Sequence, residues 1–151
     1  MSLLFTYSFI DLTQVFKMTG YEDDELIDAA LAVRQNAYCP FSKFSVGAAL
    51  IDEKGEIHVG CNVENSSYPE GSCAEANAIG AMIASGGKRI RRIVVAGGRE
   101  RLETCTPCGG CRQRIAEFSD GDTIISIIGG GGYANKFSVQ DLLPLCFRLE
   151  Q

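Results

Sequence analysis

The chain has one histidine, no long basic run and no internal repeat, and each shortage narrows what it can do. The lone histidine, His58, falls inside a predicted strand, where a hydrogen-bonded or half-exposed side chain fits better than a catalytic one. The formal net charge is −5 and the isoelectric point about 4.9. An acidic surface without a lysine–arginine run repels phosphate backbones, which argues against nucleic acid as a partner. No stretch reads as a membrane span. The opening "MSLLFTYSFIDLTQVFKM" is apolar, but it carries Asp11, lacks a basic leader region and is too short to cross a bilayer. Without a secretory signal, an odd count of seven cysteines points to free thiols in a reducing cytoplasm rather than to disulfides. Residues 1–17 are expected to be an N-terminal extension without function, with the working domain spanning 18–151.

What remains is ordinary globular material. Apolar residues make up 46% and charged residues 22% of 151, enough for one domain with its own core. "TGYE", Thr19 to Glu22, has capping-box spacing and leads a predicted helix, "DDELIDAALAVRQNAY", which Pro40 ends. Its Leu26, Ala30, Val33 and Ala37 recur at helical spacing. "SVGAALID" and "EIHVGCNV" read as strands joined by the turn "EKG". "CAEANAIGAMIASGG" reads as a buried helix and "RRIVVAG" as a central strand. "GGCRQRIAEF" follows as a helix, "TIISIIG" and "YANKFSV" as strands, and "QDLLP" as a helical turn. The glycines Gly129 to Gly132 end a strand and do not open a helix, so they make no phosphate cradle. Alternating helices and strands predict a layered α/β domain.

The chemistry concentrates in "TCTPCGGCRQ", where Cys105, Cys108 and Cys111 stand three apart. A ferredoxin-type cluster would need a further cysteine where Ile115 stands. Zinc fits better. Pro107 favours a helix start, placing Cys108 and Cys111 on one face of its first turn, where the helix dipole stabilises thiolates. Cys105 falls before that turn and points elsewhere. "SCAE" puts Cys73 at a second helix mouth, with Glu75 two residues on. Three thiolates leave a fourth tetrahedral position for water, and a carboxylate beside it can carry protons. The competing reading is a closed structural site, completed by Cys39, Cys61, Cys105 or Cys146, with Glu75 only capping its helix.

At "CPFSKFSVGAAL", "GCNVENSSYPEGSCAE", "PCGGCRQ" and "LLPLCF", from about Tyr21 to Phe147, the sequence resembles the small homotetrameric zinc-dependent cytidine deaminases. The resemblance implies a three-layer α/β/α fold with a mixed sheet of about five strands between helices. It implies hydrolysis of cytidine and deoxycytidine to uridine and deoxyuridine with release of ammonia, as in pyrimidine salvage. One zinc per subunit would be held by Cys73, Cys108 and Cys111. Glu75 would take a proton from the attacking water and return protons to N3 and to the departing amino group of cytosine. Asn62 and Glu64 would grip the ribose 3′-hydroxyl, and Phe44 would pack on the base. The N–H of Ala74 and the carbonyl of Thr106 would read the cytosine edge. Ser66, Tyr68 and Phe147 would approach from a neighbouring subunit. Many members carry arginine directly after the catalytic glutamate; here Ala76 stands there, so two helix dipoles and N–H···S hydrogen bonds, with Arg112 or Arg114 adding to them, are expected to offset the thiolate charge. Deamination of a modified cytosine nucleoside such as blasticidin S, a polynucleotide-editing deaminase and a non-catalytic zinc module are the alternatives.

Overall fold

The computed structural model describes residues 21–149 except 133. The predicted N-terminal extension, Thr19 of the predicted cap and Tyr133 of the predicted last strand lie outside the described residues. Helix α1 (Tyr21–Arg34) precedes the hairpin of β1 (Ser45–Asp52) and β2 (Ile57–Cys61). After a 3₁₀ turn (Tyr68–Glu70) come α2 (Ala74–Ala84), β3 (Ile90–Gly98), α3 (Gly109–Glu117), β4 (Ser119–Ile128), β5 (Ala134–Phe137) and α4 (Val139–Leu142). Among the described residues, no helix is long and apolar enough to cross a membrane.

The five strands form one sheet in the order β2-β1-β3-β4-β5. Only β3 and β4 run parallel, joined through α3; the other neighbours are antiparallel. Alternation along the strands sends side chains to opposite faces. Ala48, Leu50, Ile93, Val95 and Ile125 pack with Ala78, Ile79 and Met82 of α2 and Ile115 of α3. Ala49, Ile51, Val94, Ala96 and Ile128 pack with Leu26 and Ala30 of α1. The three layers and the mixed five-stranded sheet are those expected. The continuously apolar β3 lies at the centre because both of its faces are covered.

Two expectations need correction. Helix α1 stops at Arg34, well before Pro40, and Ala37 is not part of it. The Arg34 side chain is buried and donates to the carbonyls of Ser45, Gly98 and Arg99. That anchors the helix end against the start of β1 and the end of β3. The N–H groups of Gln35 and Ala37 then bond three residues back, a tightened last turn, before Tyr38 leaves to bridge Val63. Strand β4 begins at Ser119 rather than Thr123, since Thr123 Oγ1 donates to Ile90 O and an irregularity in the pairing absorbs the polar residues between. His58 is buried, its Nε2 3.0 Å from Asp52 Oδ2, as a structural histidine should be.

Two glycines set how closely helices approach the sheet. A Cβ at Gly47 would stand 2.1 Å from Ala30 O of α1, and one at Gly60 would stand 2.4 Å from Ala78 N of α2. Gly60 therefore fixes the height of α2, whose first turn carries Cys73 and Glu75. Gly60→Ala should cost about 1–3 kcal/mol, since a backbone atom cannot move aside as a flexible side-chain end can. Gly80→Ala, on the open side of the same helix, should be neutral or stabilising. Equal urea midpoints for the two variants would contradict this packing.

Candidate metal centre

Cys73 is the N-cap of α2 and Cys108 the N-cap of α3, both with extended backbone. Neither side chain caps its own helix by a hydrogen bond, so both sulfurs are left for another partner. Cys111 follows one turn into α3 and is buried. The three sulfurs lie within 4.8 Å of one another, with Cys73 Sγ and Cys108 Sγ 3.9 Å apart. Zinc–sulfur bonds of about 2.3 Å at tetrahedral angles separate sulfurs by about 3.8 Å. The donor set fits one zinc ion, and among the described residues no fourth histidine, cysteine or carboxylate joins the group.

Electrostatics say the same. Cys111 donates to Glu75 Oε2 at 3.3 Å, and Glu75 is 4% exposed. The Cys73 thiol is lowered chiefly by its hydrogen bond with Cys111, with smaller help from Cys108 and from the charge of Arg114. Cys111 is correspondingly raised by that hydrogen bond, by burial and by Glu75. Three thiols and a carboxylate this close cannot all ionise without a cation among them. Cys105 stays outside the group. Burial foremost, then the charge of Glu75, pushes its thiol up to about 11.

Cys73 and Cys108 open on a cavity of about 320 Å³, within the range of small-molecule sites. Its walls include Phe44, Val46, Asn62, Glu64, Ala74, Glu75, Cys105 and Thr106. Five of the eight residues named for substrate therefore meet here: Phe44, Asn62, Glu64, Ala74 and Thr106. Ser66, Tyr68 and Phe147 are exposed and do not line it; Tyr68 packs edge-on against Phe41, and the Phe147 backbone accepts from Gln113. A wider depression of about 950 Å³ has only the charged Lys43, Arg99, Glu100, Arg101 and Glu103 on its walls, without a thiol, so the chemistry belongs to the smaller cavity.

Local hydrogen bonds hold these walls. Asn62 Oδ1 accepts from Val46 N and Nδ2 donates to Phe44 O, so its amide braces the start of β1. Glu64 Oε2 accepts from the N–H groups of Phe41 and Ser42. The Ser42 hydroxyl, more than these amides, holds the Glu64 carboxyl below its usual range. Asn77 ties the first turn of α2 to Cys61 O and Ser72 Oγ. Arg99 stacks over the Phe44 ring at 5.4 Å. Two features escaped sequence reasoning. Cys105 lines the cavity although it stands outside the three-sulfur group, and Gly97 makes room for it, since a Cβ there would lie 2.7 Å from Cys105 Sγ and 3.0 Å from the Phe44 ring. The spacing of the cysteines carries no hint of either.

Residues 21–127 match the model of the cytidine and deoxycytidylate deaminase zinc-binding region. A cytidine deaminase of Sporosarcina psychrophila is 39% identical over 127 residues, covering 84% of this chain and 92% of that protein. A probable cytidine deaminase of Dictyostelium discoideum is 40% identical, covering 88% of each. The crystal structure of cytidine deaminase from Burkholderia pseudomallei superposes with a TM-score of 0.75 at 38% identity, over 82% of this chain and 98% of that one.

The donor set makes a direct prediction. The purified chain should carry one zinc by elemental analysis, and Cys111→Ser should remove most of it. Cys105→Ser should leave the zinc content unchanged, and loss of metal there would show that the third sulfur has been misassigned.

Proposed function

The chain belongs to the cytidine and deoxycytidylate deaminase family, and we propose that it hydrolyses cytidine and deoxycytidine to uridine and deoxyuridine with release of ammonia. One observation carries this reading. Cys73, Cys108 and the Glu75 carboxylate line a cavity walled by an aromatic ring and polar side chains, with the Cys111 sulfur buried behind them at ligand distance. Zinc held by Cys73, Cys108 and Cys111 supplies a Lewis acid that makes water reactive near neutral pH.

The protein's own groups do the rest. Glu75, in the first turn of α2, receives the proton of the attacking water and delivers protons to N3 and to the leaving amino group. Its burial keeps bulk water from competing for that proton. The N–H of Ala74 is one of the first-turn donors with no partner inside its helix, which leaves it available to the cytosine edge. The carbonyl of Thr106 accepts from the amino group. Phe44 packs on the base, steadied by Arg99 from behind. Glu64, pinned through one oxygen, turns its remaining acceptor capacity to the ribose 3′-hydroxyl. Asn62 stands beside it; its amide is largely engaged with backbone, so it positions Phe44 as much as it touches sugar.

The proposal includes a homotetramer with shared sites, supported by Ser66, Tyr68 and Phe147 being exposed away from their own cavity. It places the enzyme in the cytoplasm, in keeping with seven free thiols. It needs neither a nucleic acid nor a membrane partner, and it confines the domain to residues 18–151.

Glu75→Gln should keep its zinc and lose turnover by about a hundredfold to ten-thousandfold. Full turnover in that variant would leave only a structural zinc. Loss of ultraviolet absorbance should be seen with cytidine and deoxycytidine; turnover of blasticidin S alone would overturn the assignment. The lowered Glu64 carboxyl gives a pH prediction. Its anionic form prevails above its ordinary value of 4.5, so KM should stay flat from neutrality down towards that pH and rise only below it. Glu64→Gln should raise KM for cytidine about tenfold at pH 7.

A further inference from the structure

The proposed centre has too much negative charge for its metal. Three thiolates and the Glu75 carboxylate face the two charges of one zinc ion. Some of the excess is met by the N-termini of α2 and α3, but helix ends carry only about half a charge each. A nearby cation with no other obligation is required.

Most candidates are already engaged. Arg34 is buried among carbonyls on the far side of the sheet. Arg99 pairs with Glu103 and covers Phe44. Arg112, next to Cys111, is held by Nε and Nη1 donating to the carbonyls of Pro107 and Leu142, tying α3 to α4. Arg114 differs. It has no hydrogen bond or ion pair with any described side chain or carbonyl, and it folds back along α3 over Gly110. A Cβ at Gly110 would stand 2.9 Å from Arg114 Nη1. Helical side chains lean towards the N-terminus, so the guanidinium rests on the turn that carries Cys108 and Cys111. Gly110 keeps that ground clear.

We propose that Arg114 is the charge-balancing residue of the thiolate cluster, a positioning residue that holds zinc in place without ligating it. The inference rests on the zinc assignment above and adds to it which cation completes the site. The side chain is exposed, so its action passes partly through solvent and must weaken as salt rises. A merely structural arginine on a helix surface would show no such dependence.

The test is chelator competition on the zinc-loaded, full-length protein. At low salt Arg114→Gln should bind zinc about tenfold more weakly than wild type, while Arg114→Lys should retain most of the affinity. The gap between wild type and Arg114→Gln should narrow at about 1 M salt, where the screening length falls to about 3 Å. Equal affinities at low salt would overturn the inference, as would a deficit that salt does not change or that lysine does not repair. Wild type lacking zinc would instead sink the metal assignment itself.

Discussion

Two helices begin within a sulfur–sulfur contact of each other, and the rest of the structure serves that meeting. Cys73 and Cys108 are 35 positions apart in sequence but 3.9 Å apart in space. Bringing them together needs β3 beside β1, so that the segment from β3 to α3 returns past the start of α2. It needs Gly60, which sets the height of α2 over the sheet. It also needs the end of β3 held in place, where Arg34 grips the carbonyls of Gly98 and Arg99. Gly98 adopts φ +149, outside the range side chains favour, and lies 2.1 Å from Arg101 O in Cβ terms, so the chain turns there without a side chain in the way. The metal centre is a property of sheet order and close approach as much as of its cysteines.

The meeting creates a local excess of negative charge, and the surroundings relieve it by design of position rather than by ion pairs. Helix N-termini point at the sulfurs, and burial keeps competing water away from Glu75. The same burial makes the arrangement costly without a metal, because a crowd of thiols must then share protons. The other cavity walls are ordered differently. Glu64, Asn62 and Phe44 are braced through backbone hydrogen bonds around β1, so these walls do not depend on the metal for their shape.

Much of this was legible in the sequence. The "EKG" turn between two strand-forming runs and the unbroken apolar run of β3 identified β1, β2 and β3, and "SCAE" with "PCGGC" marked both helix mouths, because proline, glycine and cap positions act locally. The end of α1 was not legible. Its periodic apolar residues continue past Arg34, while its end is anchored by a guanidinium reaching carbonyls 64 and 65 positions away. The early start of β4 is similar, since Asp120 and Asp122 discourage a strand until Thr123 bonds across to Ile90. Asn62 read as a sugar contact from its motif; its bracing of β1 depends on tertiary neighbours that no spacing reveals.

The equal spacing of Cys105, Cys108 and Cys111 poses a last question, why only two of the three serve the metal. The helix decides. Cys108 and Cys111 flank the first turn of α3, so one turn of rise brings both sulfurs to the same side. Cys105 is still in the preceding loop, where the bridge between Gly97 and Glu103 directs the chain along β3. There the absent side chain of Gly97 lets Cys105 sink against Phe44, and burial keeps its thiol protonated to about 11. Set apart from the three grouped sulfurs, it serves as a wall of the cavity. The site thus sets one thiol in its wall beside two grouped on one helix turn, and the difference comes from a helix start three residues downstream rather than from the cysteine itself.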